Sequence, residues 1–351
     1  MSHTPSISLH VVTWNGMDVF PELCKSLRTQ TVQDFRLFII DNGSSDGIED
    51  FVRAQMPQAV FLRNPKNLGF AAAHNQGIRY AIEHWQEKDL SSCFILIVNQ
   101  DTIFSPTFVE ELLRDTQTHP TVGMWGGTLL RAFREPAGEE GWKETILSDV
   151  IDSTGLCASR GCFFWDRGAG EINQGQYRDS QDVFGISGAI AMYRAQALAD
   201  IRYAQEFFDA DFFSYKEDID LSWRLQRMGW GARFVPGAVA YHHRGMYSKE
   251  KLLWWKRWQQ RRGQSRIRRY WSLRNHGFLL VKNLGWLEFF AMSPWVIARE
   301  FTRFFYVLLF EPRYMKAFID PWIIFPRLWR KRRLIQRSRR VPRRALLKWF
   351  C

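Results

Sequence analysis

Short apolar runs separated by polar turns dominate the first half of the chain, and their lengths distinguish strands from helices. Ile7 to Trp14 is a β-rich run, and FRLFII, from Phe35 to Ile40, is apolar apart from Arg36, as a buried strand would be. That second run stops abruptly at Asp41-Asn42-Gly43-Ser44-Ser45-Asp46-Gly47. Ala59 to Leu62 and FILIV, from Phe94 to Val98, repeat the signal, the latter ending at Asn99-Gln100-Asp101. Between them the period changes to that of helices. Val19, Phe20, Leu23 and Leu27 share one face, Glu49 to Gln55 forms a short helix, Phe70 to about Trp85 a longer one, and Pro106 to Thr116 another. Val122 to Thr128 is strand-like. Strands alternating with helices predict βαβ units, hence an α/β fold with a mostly parallel sheet and helices on both faces. In such sheets ligands bind beyond the carboxyl ends of the strands, where the polar loops at Asp41 and Asn99 fall.

The rhythm breaks from Leu130 to Asp182, a stretch rich in Gly, charge and aromatics that reads as an insertion carrying acceptor contacts or a lid. Strand pattern returns at Phe184 to Tyr193, a helix is expected over Glu217 to Met228, and Ala232 to Val235 and Val239 to Tyr241 are short strands. After Lys251 the chain is helical, basic and aromatic. The expected division is therefore a catalytic domain over 1–250, with 130–182 as its acceptor-side region, and a membrane-associating region over 251–351.

Charge sharpens that division. The net charge is +12 over 351 residues. From Lys251 onward 25 Lys and Arg face 4 Asp and Glu, about +21, whereas the preceding part is about −9. A basic tail interleaved with Trp254, Trp255, Trp258, Trp271, Trp286, Trp295, Trp322 and Trp329 suits an anionic bilayer surface, or otherwise a nucleic-acid backbone. The most apolar stretch, Trp286 to Phe310, holds Glu288, Arg299, Glu300 and Arg303, so it is expected to lie in an interface rather than span a membrane. The start of the chain lacks the basic and apolar regions of a signal peptide. The five cysteines, at an odd count and with no C-x-x-C pair, argue for a reduced protein without a disulfide framework, and Cys157 with Cys162 does not complete a zinc site.

Five polar clusters remain. Asp41 with its Gly-Ser turn can accept bonds from a base or ribose. Gly69 opens a helix beside Asn67, with Asn75 on the next turns, and could bring backbone close to a diphosphate. Asp101 ends a strand where a divalent cation could sit. Glu217, Asp218 and Asp220 crowd a helix start behind the aromatic run Phe208 to Tyr215, where burial can raise a carboxylate toward the pKa of a working base. Tyr241-His242-His243-Arg244-Gly245 follows a short strand. Taken singly, each is also what an ordinary turn, helix cap or i,i+4 pair would use.

Their order is more specific than any one of them. DNGSSDG, NLGFAAAHNQG, VNQDT, GAIAMYRAQAL, FFSYKEDIDLSWRLQRMGW and YHHRG together resemble glycosyltransferase family 2, in particular its bacterial rhamnosyltransferase-like branch. The resemblance runs from about Ile7 to Gly245 and continues more weakly into Tyr270-Trp271-Ser272-Leu273-Arg274-Asn275-His276. It implies a GT-A fold and inversion at the anomeric carbon. Carried over by position, Thr13, Trp14, Asp41, Asn67, Gly69, Asn75, Asn99 and Asp101 would line the nucleotide-sugar site. Asp218 would be the catalytic base in a Glu217-Asp218 pair, and Asp101 with His242 would hold Mg²⁺ or Mn²⁺. The D-x-D motif of the family here begins with Asn99, so one carboxylate is missing from the expected metal shell. The implied reaction moves a sugar, with dTDP-L-rhamnose the leading donor and a UDP-hexose the alternative, to a polyprenyl-diphosphate-linked saccharide. It would take place at the cytoplasmic face of a bacterial inner membrane, to which the protein binds peripherally. No Gln-x-x-Arg-Trp motif of a processive synthase occurs.

Overall fold

The structure, a computed structural model, describes residues 7–85, 89–137, 142–243 and 266–351. Trp254, Trp255 and Trp258, together with Arg244 and Gly245, lie outside the described residues.

The N-terminal half follows the alternation read above. β1 (Ile7–Thr13), α1 (Phe20–Arg28), β2 (Arg36–Asp41), α2 (Ile48–Gln55), β3 (Val60–Arg63), α3 (Phe70–His84) and β4 (Phe94–Asn99) build a parallel run in the order β3-β2-β1-β4. The pleat sends alternate residues to opposite faces. Leu9, Leu37, Leu96 and Val98 pack with α1, α2 and α4 (Phe108–Thr116), which follows a short strand, β5 (Thr102–Phe104). Ile95 and Ile97 face the other layer, whose core includes α5 (Ala195–Ile201) and α6 (Glu217–Met228). Phe38 and Ile40 meet Ala73 and Ala81 of α3 on that side.

Beyond β4 the sheet is mixed rather than parallel. β6 (Val122–Ala137), β7 (Trp142–Ser153), β10 (Gln181–Val183), β11 (Ile190–Arg194) and β12 (Gly231–His243) complete it in the order β10-β12-β6-β11-β4. β11 is antiparallel to both β4 and β6, whereas β12 is parallel to β6. The two short strands expected after α6 are one strand whose register shifts between Val235 and Val239, around Pro236 and Gly237. A proline without an N–H interrupts the ladder there without ending it.

The stretch 130–182 is largely regular. β7 returns antiparallel along β6, and β8 (Leu156–Ala158) and β9 (Phe164–Asp166) pair with each other. Turn-rich composition hid these pairings between neighbouring segments, which leave little local period. β6 and β7 carry Arg131 and Asp152 to the end of the sheet where the acidic loops emerge.

The tail forms α7 (Arg266–Asn283), α8 (Trp286–Phe310), α9 (Lys316–Ile323) and α10 (Phe325–Arg337). Phe278, Leu279, Met292, Val296, Leu328 and Phe350 share a core with Trp223 of α6 and with Phe164, Phe184 and Phe212. A buried charge network also bridges the two parts. Lys282 of α7 pairs with Asp209 and, at 2.8 Å, with Asp220, while Lys331 of α10 meets Asp209 at 2.5 Å. Burial alone would raise the Asp209 carboxyl, but the two lysines outweigh it and hold it well below the usual range. Removing one partner of such a pair strands a charge in the interior. Lys282→Ala is therefore expected to destabilise the protein by about 3–5 kcal/mol, seen as a lower urea midpoint at an unchanged denaturant slope. A midpoint equal to that of the parent chain would show the network to be dispensable.

Candidate active site

The ends of β1, β2 and β4 are laced together by side chains. Asp41, fully buried at the end of β2, accepts the Thr13 hydroxyl at 3.3 Å, the Ser44 N–H at 3.1 Å and the Ser44 hydroxyl, with Arg63 at 3.8 Å. Ser44 Oγ also accepts the Asn15 N–H, and Asn15 Oδ1 accepts the Ser45 N–H, both at 2.9 Å. Gln100, between Asn99 and Asp101, bonds the backbone of Trp14 in both directions. The Trp14 ring is left exposed beside these turns and offers a face for stacking.

The expected diphosphate loop is held from the same side. Asn67 Oδ1 accepts the Gly69 N–H at 2.8 Å, and Asn42 Nδ2 reaches Asn67 Oδ1 and the Gly69 carbonyl, each at 3.3 Å. Gly69 has φ +83°, and a Cβ there would lie 2.5 Å from the Phe213 carbonyl oxygen, so conformation and space both require glycine. Asn75 is buried, and all its side-chain bonds go to backbone: Oδ1 accepts from Phe207 and Phe208 N–H, and Nδ2 donates to the Phe208 carbonyl. Its position is that of a brace joining α3 to the segment leading to α6.

The acidic loop and the helix start meet through β11. The Asn99 N–H donates to the Ala189 carbonyl at 2.9 Å, and the next residue back, Gly188, donates its N–H to Asp218 Oδ2 at 3.0 Å. Asp218 Oδ1 accepts its neighbour Ile219 N–H at 2.8 Å. A Cβ on Gly188 would lie 3.1 Å from the Cβ of Asp218. The loop of Asp101 and the carboxylate of Asp218 are thus tied to adjacent residues of one short segment.

The three acids that open α6 have different surroundings. Asp220 is neutralised by Lys282 and by Arg224 at 2.9 Å. Burial raises the Asp218 carboxyl against the pull of its two N–H donors. Glu217 is 6% exposed, and its Oε2 has no hydrogen-bond partner among the described residues. Burial and then the Asp218 charge push it up to about 8. With its carboxyl pushed up to about 8, Glu217 keeps its proton at pH 7, which spares the pair a second buried charge. Ahead of them, Phe213 (φ +63°), Tyr215 (φ +73°) and Lys216 (φ +70°) are non-glycine residues in the left-handed half of conformational space. Each costs about 1–3 kcal/mol and persists only where the surroundings enforce it.

On the opposite side of the loop, His242 Nε2 lies 3.2 Å from Asp101 Oδ1, and His242 Nδ1 lies 2.9 Å from Asp152 Oδ2. Burial alone would lower the histidine, but Asp101 and then Asp152 bring it up to about 9. Asp101 is held below the ordinary carboxylate range, since His242 outweighs its burial. A carboxylate behind a histidine fixes its tautomer and aims the far nitrogen, which is how metal-binding imidazoles are supported. Among the described residues no cluster of three or more His, Cys, Asp or Glu is arranged to hold a metal. One carboxylate and one supported imidazole nevertheless fit Mg²⁺ or Mn²⁺, ions that take remaining ligands from water and substrate phosphates. Asp152 and Gln100 had no sequence signal: the first acts across 90 residues, the second through its backbone partner on Trp14.

The glycosyl transferase family 2 profile matches residues 8–202, more than half of the chain. The chain belongs to glycosyl transferase family 2. A curated member from Mycobacterium tuberculosis, N-acetylglucosaminyl-diphospho-decaprenol L-rhamnosyltransferase, is 26% identical over 251 residues, covering 69% of this chain and 77% of that protein. A poly-β-1,6-N-acetyl-D-glucosamine synthase of Staphylococcus aureus is 23% identical and covers 67% of this chain, which spans 49% of that protein. Among solved structures, S. aureus TarS 1–349 in complex with UDP matches with TM-score 0.51 at 14% identity, over 95% of this chain and 86% of that one. GalNAc-T7 with UDP, GalNAc and Mn²⁺ matches with TM-score 0.53 at 11% identity, over 80% of this chain and 48% of that one. The fold of this glycosyltransferase is therefore the GT-A arrangement of a curled mixed sheet with helices on both faces.

The proton count of the acidic pair is testable in this enzyme. Glu217→Gln mimics the neutral form present at pH 7, so turnover there should stay within about threefold of the parent. The parent should show an inflection in rate near pH 8 as Glu217 ionises, and Glu217→Gln should lose it. An unchanged inflection in that variant would assign it to another group.

Proposed function

We propose that this glycosyltransferase inverts the anomeric carbon in one in-line displacement, with Asp218 as the base. The observation that carries this reading is the double tether just before β11, which holds the partly buried Asp218 carboxyl beside the loop of Asn99 and Asp101. Asp218 takes the proton of an acceptor hydroxyl, that oxygen attacks C1 of the donor sugar, and the C1–O bond to the nucleoside diphosphate breaks on the opposite face. Two N–H donors favour the charged form of Asp218 against its burial, and the neutral Glu217 beside it avoids a second buried charge. Asp41, Thr13 and Trp14 receive the nucleoside, and Asn67 and Gly69 shape the backbone facing its phosphates. Asp101 and His242 would hold a divalent cation, which would supply positive charge to the leaving diphosphate.

The donor is proposed to be dTDP-L-rhamnose and the acceptor a polyprenyl-diphosphate-linked saccharide, by likeness to the mycobacterial rhamnosyltransferase. The place of action is proposed to be the cytoplasmic face of a bacterial membrane. Among the described residues no helix is long and apolar enough to cross a membrane. α8 and α9 instead expose Trp286, Phe290, Ile297, Phe301, Leu309 and Trp322, with Phe290 and Trp322 about 70% exposed. On α8 these residues recur at helical spacing along one face, while Met292, Val296 and Val307 face inward. An apolar stripe flanked by exposed Arg313, Lys316, Arg330 and Arg333 suits the head-group boundary of an anionic bilayer.

Asp218→Asn should lower transfer by about 10²–10⁴-fold while the thermal shift induced by the donor survives. Near-normal turnover in that variant would remove Asp218 as the base. In a shift screen dTDP-L-rhamnose should stabilise the parent more than UDP-hexoses, and the reverse order would reassign the donor. The fraction floated with vesicles should fall several-fold when anionic lipid is omitted, and equal flotation would argue against the proposed surface.

A further inference from the structure

The segment before Asp218 is strained, and its restraint comes from the tail. Phe213 has φ +63° and ψ −64°, and the Ser214 N–H bonds the Phe212 carbonyl at 2.7 Å, which together make a γ-turn of the rare, high-energy hand. Tyr215 and Lys216 then both have positive φ, and Glu217 opens α6 directly after them. None of these residues is glycine, so the conformation must be imposed from outside.

Asn275 of α7 imposes it. Its side chain is fully buried, and Nδ2 lies 2.8 Å from each of three carbonyls, those of Phe212, Ser214 and Tyr215. Its Oδ1 accepts Arg274 Nε at 3.0 Å, which orients the amide. Arg274 adds bonds to the carbonyls of Asp211 and Phe212, and its guanidinium sits 3.9 Å from the centre of the Trp271 ring. Trp271 in turn stacks on Phe213. Arg274 and Asn275, adjacent on one helix, thus hold one turn by its backbone, and Trp271, one turn earlier, packs on its Phe213 ring. The same turn touches the donor side, where the Phe213 carbonyl accepts the Ala71 N–H and closes over Gly69. Behind α7, His276 pairs with Glu300 of α8, and Tyr270 bonds Asp320 of α9.

We infer that Asn275 is a positioning residue for the reaction: it locks the γ-turn before α6 and thereby fixes the direction in which the Asp218 carboxylate faces the acceptor. The inference rests on the assignment of Asp218 as base. It gives the tail helices a part in turnover in addition to any in membrane binding. Asn275 touches no substrate; it acts by holding a backbone that would otherwise relax to negative φ.

The test uses the full-length enzyme. Asn275→Ala should lower kcat by about tenfold or more while the donor KM stays within about twofold, because a displaced base costs rate without costing donor contacts. Hydrogen–deuterium exchange should quicken over 212–218 and stay unchanged over β1, β2 and β4. Tyr215→Gly, which makes positive φ at that position easy, should restore at least half of the lost kcat in the Asn275→Ala background. If Asn275→Ala does not fold, Asn275→Ser, which keeps one donor, is measured in the same way. A kcat equal to that of the parent despite faster exchange would overturn the inference. So would a loss shared equally by kcat and donor affinity that Tyr215→Gly does not relieve. The exchange readout is independent of which carboxylate is the base, so activity retained by Asp218→Asn would remove the base assignment and leave the Asn275 restraint to be judged by exchange alone.

Discussion

β11 runs against both of its neighbours, and the location of the chemistry depends on that reversal. A parallel strand would enter the sheet from the opposite end and put its preceding loop away from the polar edge. Because β11 is antiparallel, the residues just before it, Gly188 and Ala189, lie across the end of β4. Ala189 bonds the residue that opens the Asn99-Gln100-Asp101 turn, and Gly188 bonds the carboxylate that opens α6. Two backbone groups one residue apart therefore set the offset between the Asn99–Asp101 turn and Asp218, the proposed base. A side chain at position 188 would press on Asp218 itself, so the contact tolerates little beyond glycine.

The opening turn of α6 shows how one kind of residue yields three behaviours. Asp220 has Lys282, Arg224 and Asn283 around it and serves as an anchor. Asp218 accepts the N–H groups of Gly188 and Ile219 and feels the charge of Lys216, against which burial still raises it. Glu217 has no cation among the groups that shift it, and keeps its proton to about pH 8. Like charges this close cannot all persist in the interior. Glu217 is thus neutral at pH 7 and Asp220 compensated, and Asp218 is the acid of the three proposed as the base.

These differences explain what could be read from the sequence and what could not. The strands FRLFII and FILIV, the acidic turns after them and the helix over Glu217 to Met228 carry local signals, and the structure places them where their apolar patterns require. The acids of α6 are legible as a group because helix starts favour them, yet that same preference conceals which of them is the base. Arg224 beside Asp220 is a local cue, but Lys282 and Asn283, 62 and 63 residues away, complete its difference from Asp218. Asp152, Asn75 and Asn275 act over separations of 90, 133 and about 60 residues through partners on other elements, and no period or spacing announces such contacts. The break perceived at 130–182 has the same origin, since β6 and β7 gain their regularity from pairing with each other and with β12.

The charge asymmetry between front and tail also changes meaning once folded. Counted along the chain, the basic tail is a large surplus available to an anionic partner. In the fold, part of that surplus is directed inward. Lys282 and Lys331 neutralise Asp209 and Asp220 of the front, Arg340 reaches Asp200, and Arg332 and Arg274 donate to carbonyls. The tail is thus first a counter-charge for the acids flanking the active site. Only the outward members, such as Arg330, Arg333 and Arg337, remain for a membrane surface. The acidic front needs the basic tail for its own stability, because Asp209 would otherwise be a buried charge without a cation and Asp220 would keep Arg224 alone. Attachment to a surface and integrity of the catalytic turn therefore draw on the same helices, so a change in the tail that releases one of these buried pairs should be felt at Asp218 before it is felt at the membrane.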